Sequence, residues 1–245
     1  MAKSDSKIAL VTGAGKGLGR ETARQLSLMG IHVVLAARSL EKAEKAAKGL
    51  PIDHIFPLAI EITDIRQIES AVDFVFDKFG HLDILVNNAA VLKERLSGVS
   101  TPGTVNMDVL RETFEVNFFA QVALTQAFLP LLKKSKAARI VNVGSLLGSL
   151  DASSSADGDA GNVGPFAYGV SKTALNAFTV HLAAELAGTP HKVNSGSPGW
   201  VKTDMGTSSA LLSVEEGAKT IVDLALLSES GPTGGFFHLN KSLPW

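Results

Sequence analysis

The sequence predicts an α/β fold: a parallel sheet covered by helices on both faces, in one domain spanning residues 1–245. Three observations carry this. Short apolar runs alternate with longer stretches of helical periodicity, the arrangement that parallel strands joined by crossover helices require. Within the runs, apolar residues follow one another instead of alternating with polar ones, so both faces of each strand are expected to be covered. With 45% hydrophobic and 19% charged residues, the chain can fill a large core at a length that single parallel α/β units reach.

About seven runs are predicted strands: 8–11, 31–36, 55–60, 82–86, 139–143, 193–197 and 236–239. Between them, helical patterns cover roughly 20–29, 40–48, 64–79, 109–132, 166–186 and 214–227. Asp64 is an N-cap for the third helix, and Gly49-Leu50-Pro51 is a stop for the second. The stretch 151–164 is small, polar and acidic with no periodicity, and is expected to be a mobile loop.

Composition excludes several chemistries. A net charge of -1 gives no general attraction to nucleic acid, which points to a small-molecule partner. The chain has no cysteine, so disulfides, thiolate catalysis and cysteine-ligated zinc are out, and its six histidines show no HExxH spacing. No metal is expected. Residues 1–7 lack the apolar core and cleavage site of a secretory signal, and the longest apolar stretch, 116–132, is broken by Asn117, Gln121, Thr125, Gln126 and Pro130. A soluble, cytoplasmic chain with no membrane segment is the expectation.

Directly after the first strand, Thr12-Gly13-Ala14-Gly15-Lys16-Gly17-Leu18-Gly19 runs into a helix. Glycines let the backbone turn sharply and approach a bulky anion, and a helix start offers free N–H groups and the positive end of the dipole. A pyrophosphate fits this turn, although the spacing through Gly13, Gly17 and Gly19 is GxxxGxG and not the strict dinucleotide pattern. An acidic residue that would grip the ribose hydroxyls of NAD is expected at the end of the second strand, but Arg38 stands there. Arg38 can pair with a 2′-phosphate, with Lys16 approaching the same anion from the other side, so NADP(H) is favoured over NAD(H).

The only tyrosine of the chain, Tyr168, lies four positions before Lys172 in a predicted helix. One turn puts both side chains on the same face. An ammonium ion beside a phenol favours the phenolate, so the pair is expected to form an acid/base device with a lowered tyrosine pKa.

The glycine turn, Asn87-Asn88-Ala89-Ala90 after the fourth strand, Ser145 after the fifth and Tyr168-xxx-Lys172 together resemble the short-chain dehydrogenase/reductase family over almost the whole chain. Pro198-Gly199-Trp200-Val201-Lys202-Thr203-Asp204-Met205 and Gly231 to Phe237 resemble its carbonyl-reductase branch. The resemblance implies a Rossmann-type sheet in the order 3-2-1-4-5-6-7 and an NADPH-dependent reductase of a ketone or aldehyde. It leaves an NAD-dependent alcohol dehydrogenase and a non-catalytic dinucleotide sensor as alternatives. It also implies a tetrad of Asn117, Ser145, Tyr168 and Lys172, in which Tyr168 delivers a proton, Lys172 lowers its pKa and contacts the cofactor, Ser145 holds the carbonyl oxygen and Asn117 anchors a water linking Lys172 to solvent.

Around the cofactor, the same resemblance implies that Gly13, Lys16, Gly17, Leu18 and Gly19 hold the phosphates. Glu61 and Ile62 contact adenine, Asn88 and Ala89 line the adenosine side through their backbone, and Val116 packs against adenine. Pro198, Gly199, Val201 and Thr203 wall the nicotinamide, and Leu146, Leu147, Trp200 and Met205 are candidates for an apolar substrate pocket. Glu61 and Ala90 depart from the aspartate and glycine usual in the family. Ser145 and Tyr168 are 23 residues apart, farther than in ordinary members, which leaves the oligomeric state open.

Overall fold

The computed structural model describes residues 6–50, 54–94, 100–154 and 164–245. The first five residues, Pro51 of the helix stop and most of the acidic stretch fall outside them.

Every predicted strand forms: β1 Ile8–Val11, β2 His32–Ala37, β3 Ile55–Ala59, β4 Ile84–Asn87, β5 Arg139–Val143, β6 Lys192–Gly196 and β7 Phe236–His238. They lie in one sheet in the order β3-β2-β1-β4-β5-β6-β7, and all six pairings are parallel. Against the expected seven, β8 at Lys241–Ser242 adds an antiparallel edge to β7. The last predicted strand ends early because Leu239 and Asn240 both take positive φ, 45° and 63°, the geometry of a tight two-residue hairpin turn.

Alternate residues of the apolar strands feed two cores. Ile8, Leu10, Val34, Leu85, Ile140 and Val193 point to the face that also buries Leu124 and Phe128 of the helix α5 (Ala120–Leu132). Ala9, Val11, Val33, Leu35, Val86 and Val141 point to the opposite face, with Leu26 of the helix α1 (Gly17–Leu28). Each such leucine or phenylalanine contributes about 1.5–3 kcal/mol by leaving water, which is why strands without polar alternation belong in the middle of a three-layer fold.

The helix α2 covers Leu40–Ala47, and α3, Ile65–Phe79, begins at Asp64 as expected, the side chain accepting from the Arg66 N–H. The predicted helix 109–132 starts earlier, because Asn106 caps α4 (Met107–Phe114), and it runs through a π-helical segment, Glu115–Phe119, into α5. Part of the expected loop is helical: Ser149 accepts from the Ala152 N–H and opens α6, Leu150–Ser154. The helix α7, Phe166–Glu185, carries Tyr168 and Lys172, and α8 spans Val214–Ala225. Among the described residues, no helix is long and apolar enough to cross a membrane.

Successive strands run outward from β1 in one direction and from β4 in the other. The loops leaving these two neighbours therefore diverge and open a crevice beyond the carboxyl ends of the strands.

Candidate active site

The glycine turn occupies one side of this crevice. Gly13 and Gly17 adopt φ of 64° and 55°, a region other residues enter only with strain, and a Cβ on Gly19 would lie 2.4 Å from Asn88 Nδ2. Lys16 takes the N-cap position of α1, yet no side chain caps the helix and its first turn holds no acidic residue. The turn is pinned from beneath by Thr12, whose hydroxyl donates to Val86 O and accepts from the N–H groups of Asn88 and Ala89, each at 3.1 Å. Asn88 Nδ2 returns hydrogen bonds to Thr12 O and Gly13 O, and Ala89 O accepts from Gln121 Nε2. The N–H groups of Asn88 and Ala89 are thus committed to holding β4 against the glycine turn.

Arg38 is exposed at the end of β2, and no described residue forms an ion pair with it. Lys16 does not lie free beside it. Its ammonium pairs with Asp204 of the loop after β6, on an exposed surface where such a pair contributes little stability. Glu61 folds its carboxylate back onto the Thr63 hydroxyl at 3.1 Å, and the Ile62 side chain is buried in the core. Val116 does line a cleft of 420 Å³, together with Thr63, Lys93, Arg111, Glu112 and Glu115.

On the other side, the end of β5 meets α7. Ser145 caps a short turn, Leu146–Gly148, that lies on α7 so closely that a Cβ on Gly148 would stand 2.7 Å from the Lys172 backbone. This contact brings Ser145 to the Tyr168 phenol, close enough for its hydroxyl to favour the phenolate. Lys172 is 2% exposed; its amine donates to Val143 O at 2.7 Å and sits 5.6 Å from the Tyr168 ring centroid.

The sequence reading of the pair is corrected in one respect. Burial pushes the Tyr168 phenol up to about 12, with only the Ser145 hydrogen bond opposing it, and pushes the Lys172 ammonium down to about 8. Tyr168 is half-buried and Lys172 buried, and loss of water penalises both charged forms. Asn117 is also committed: its amide nitrogen donates to Val91 O and Ser171 Oγ, and its oxygen accepts from the Val91 N–H at 2.8 Å.

The loop after β6 closes the third side. Gly199 has φ of 76°, and Val201 forms a parallel bridge with Leu212 through the Lys202 N–H and the Trp200 carbonyl. The Val201 N–H consequently points away from that bridge. The Thr203 side chain lies within van der Waals reach of a Cβ built on Gly17, which brings the loop over the glycine turn. Trp200 and Leu146 are exposed on the loops after the neighbouring strands β6 and β5, while Leu147 and Met205 are half-buried.

A family model described as short chain dehydrogenase matches residues 7–211. The chain belongs to the short-chain dehydrogenase/reductase family. Its relatives place it in the carbonyl-reductase-like branch. It is 33% identical to (+)-neomenthol dehydrogenase of Capsicum annuum, over 96% of each chain, and 31% identical to carbonyl reductase [NADPH] 1 of Macaca fascicularis, over 99% of this chain and all of that one. Among solved structures, the NADPH-bound carbonyl reductase from chicken fatty liver superposes with a TM-score of 0.84 at 27% identity, over 98% of this chain and 99% of that one.

Members of this family bind a nicotinamide dinucleotide, and the residues present fit one. The glycine turn leaves no room for side chains, the start of α1 has N–H groups that no side chain caps, and Arg38 stands unpaired by any described residue. Four further contributors lie outside the sequence reading of the site: Thr12 as a pin, Gln121 on Ala89, Asp204 on Lys16, and Glu94, which hydrogen-bonds the first turn of α7. Thr12 is visible inside the motif. Asp204 lies inside the Pro198 to Met205 segment, but its partner, like those of Gln121 and Glu94, is far away in the chain and is not marked by local sequence.

The depressed pKa of Lys172 gives a pH signature. Between about 8 and the ordinary lysine value of 10.5 the unfolded chain holds a proton that the folded chain has lost, so stability rises with pH across this window. The total is about 3 kcal/mol. Lys172→Met removes that dependence, so its stability relative to wild type is expected to fall by about this amount between neutral pH and pH 10.5 in urea denaturation. Parallel stability curves for the two chains would contradict the buried charge.

Proposed function

We propose that this chain, working as a single dinucleotide-binding domain over residues 1–245, reduces the carbonyl of a ketone or aldehyde to the alcohol with NADPH as reductant. The observation that carries the reading is the Tyr168 phenol, beside Ser145 and one helical turn from a buried lysine. The reduced nicotinamide supplies the hydride.

Ser145 donates its hydroxyl hydrogen to the substrate oxygen and draws electron density away from the carbonyl carbon. Tyr168 gives its proton to the same oxygen as negative charge develops there. A phenol pushed up to about 12 stays fully protonated at neutral pH, and an alkoxide is the stronger base, so this transfer runs downhill in the direction of reduction. Lys172, with a pKa of about 8, remains mostly charged at neutral pH and stabilises the phenolate left behind. The Asn117 amide is already engaged, which leaves its main-chain carbonyl as the group to hold a water on the proton-return path.

The preference for NADPH rests on Arg38, exposed at the end of β2 without an ion-pair partner among the described residues. It is also supported by the two NADPH-linked relatives. Lys16 would exchange Asp204 for the 2′-phosphate, the pyrophosphate would lie on Gly13, Gly17, Leu18 and Gly19, and adenine would lie beside Val116. The Val201 N–H and the Thr203 hydroxyl would face the nicotinamide beside Pro198 and Gly199. Leu146, Leu147, Trp200 and Met205 would form an apolar rim for the substrate.

The direct test is NADPH oxidation against a panel of aromatic ketones, α-dicarbonyls, quinones and steroids; no turnover with any carbonyl compound would defeat the reading. Tyr168→Phe is expected to lower kcat by about 100- to 10,000-fold with little change in NADPH affinity, because it removes the proton and keeps the ring. Comparable turnover would end the proton-donor assignment. Arg38→Asp is expected to move the NADPH/NADH ratio of kcat/KM toward NADH by about 10- to 100-fold, the value of a charge-assisted hydrogen bond. An unchanged ratio would remove the 2′-phosphate argument.

A further inference from the structure

The helix α7 starts without a cap of its own. Its N-cap position is Pro165, which carries no side-chain acceptor, although its carbonyl accepts the first helical hydrogen bond from the Gly169 N–H at 2.9 Å. An N-cap side chain would accept from the N–H groups of the second and third helical residues, here Ala167 and Tyr168. Those two groups are taken by a residue 73 and 74 positions earlier in the chain: Glu94 Oε1 accepts from the Ala167 N–H at 3.0 Å, and Glu94 Oε2 from the Tyr168 N–H at 2.9 Å. A carboxylate in this place also complements the positive end of the helix dipole.

The segment that carries Glu94 is itself anchored. Val91 exchanges two hydrogen bonds with the Asn117 side chain, and Lys93 pairs with Glu112 of α4 at 2.9 Å. Asn117 donates in turn to Ser171 Oγ at 3.1 Å, and Ser171 donates to the Tyr168 carbonyl at 2.7 Å. Residues 91–94 therefore hold both ends of the Tyr168 residue: the N–H directly through Glu94, and the carbonyl through Asn117 and Ser171.

We infer that Glu94 is a positioning residue for Tyr168: it caps the catalytic helix from a distant segment and fixes where the phenol stands relative to Ser145. This rests on the reading of Tyr168 as proton donor. The sequence discloses the need, in a helix that opens on proline, but not the donor of the cap.

The test is a double-mutant cycle in the full chain, read by kcat at saturating NADPH, by KM for NADPH and by melting temperature without cofactor. Glu94→Ala is expected to lower kcat about tenfold, leave KM for NADPH within about twofold and lower the melting temperature; Glu94→Gln, which keeps one acceptor, should fall between. In a Tyr168→Phe background, Glu94→Ala should lower the residual rate no further, since the hydroxyl it positions is gone. Adding Pro165→Asp to Glu94→Ala supplies a local cap to the same N–H groups and should restore both the melting temperature and kcat. The inference is overturned by a Glu94→Ala kcat within about twofold of wild type, the margin within which kinetic differences carry no positioning effect. Equal losses from Glu94→Ala in the wild-type and Tyr168→Phe backgrounds would overturn it too, as would a recovered melting temperature with kcat still low in the Glu94→Ala, Pro165→Asp chain. An active Tyr168→Phe chain would strike the proton-donor reading instead, and is seen separately in that single variant.

Discussion

The packing of a half-buried phenol and a buried amine into the same pocket is the constraint on which the rest of this site depends. Lys172 reaches its place because Gly148 lets the turn after β5 lie directly on α7, and its ammonium then has Val143 O as its protein partner. Keeping that charge out of water costs about 3 kcal/mol at neutral pH, a substantial fraction of the net stability of a domain. The two extensive cores on either face of the sheet offset it. A strained or costly group retained inside a well-packed fold is a mark of function, and here it stands one helical turn from the only tyrosine of the chain.

Loss of water around the phenol also bears on its protonation. A phenol held neutral is suited to giving up a proton to a developing alkoxide and poorly suited to removing one from an alcohol. In the proposed reduction, the role of Tyr168 as proton donor therefore rests on its environment and not on its identity alone. On the cofactor side, the architecture is one of pins: Thr12 joins β1 to β4 beneath the glycine turn, and the loop after β6 reaches back over that turn through Thr203 and Asp204. The glycine turn is thus tied to β4 and overlain by the loop after β6.

Much of this is legible in the sequence. Strand runs such as Ile8–Val11 and Arg139–Val143 announce themselves because a strand covered on both faces has no polar alternation to hide it. The glycine turn, Ser145 and the Tyr168–Lys172 spacing carry the site because each depends on residues close together in the chain. What escapes depends on residues far apart or on solvent. The direction of the Tyr168 shift cannot be read from spacing, which reports proximity of charge but not loss of water. The Lys16 partner, Asp204, lies 188 residues away, and the cap on α7 comes from Glu94, in a stretch with no motif. The helix α6 is hidden because its cap, Ser149, precedes an acidic stretch with the composition of a loop, and β8 because two residues are too few for any periodicity.

A single tyrosine makes the central claim open to direct measurement, since the phenolate absorbance of the whole chain reports Tyr168 alone. The chain without cofactor is jumped to a series of alkaline pH values, and the absorbance is read before unfolding begins. Burial of the phenol predicts ionisation only near pH 12. A midpoint at or below that of free tyrosine, about 10, would contradict it, and with it the neutral proton donor on which the proposed reduction rests.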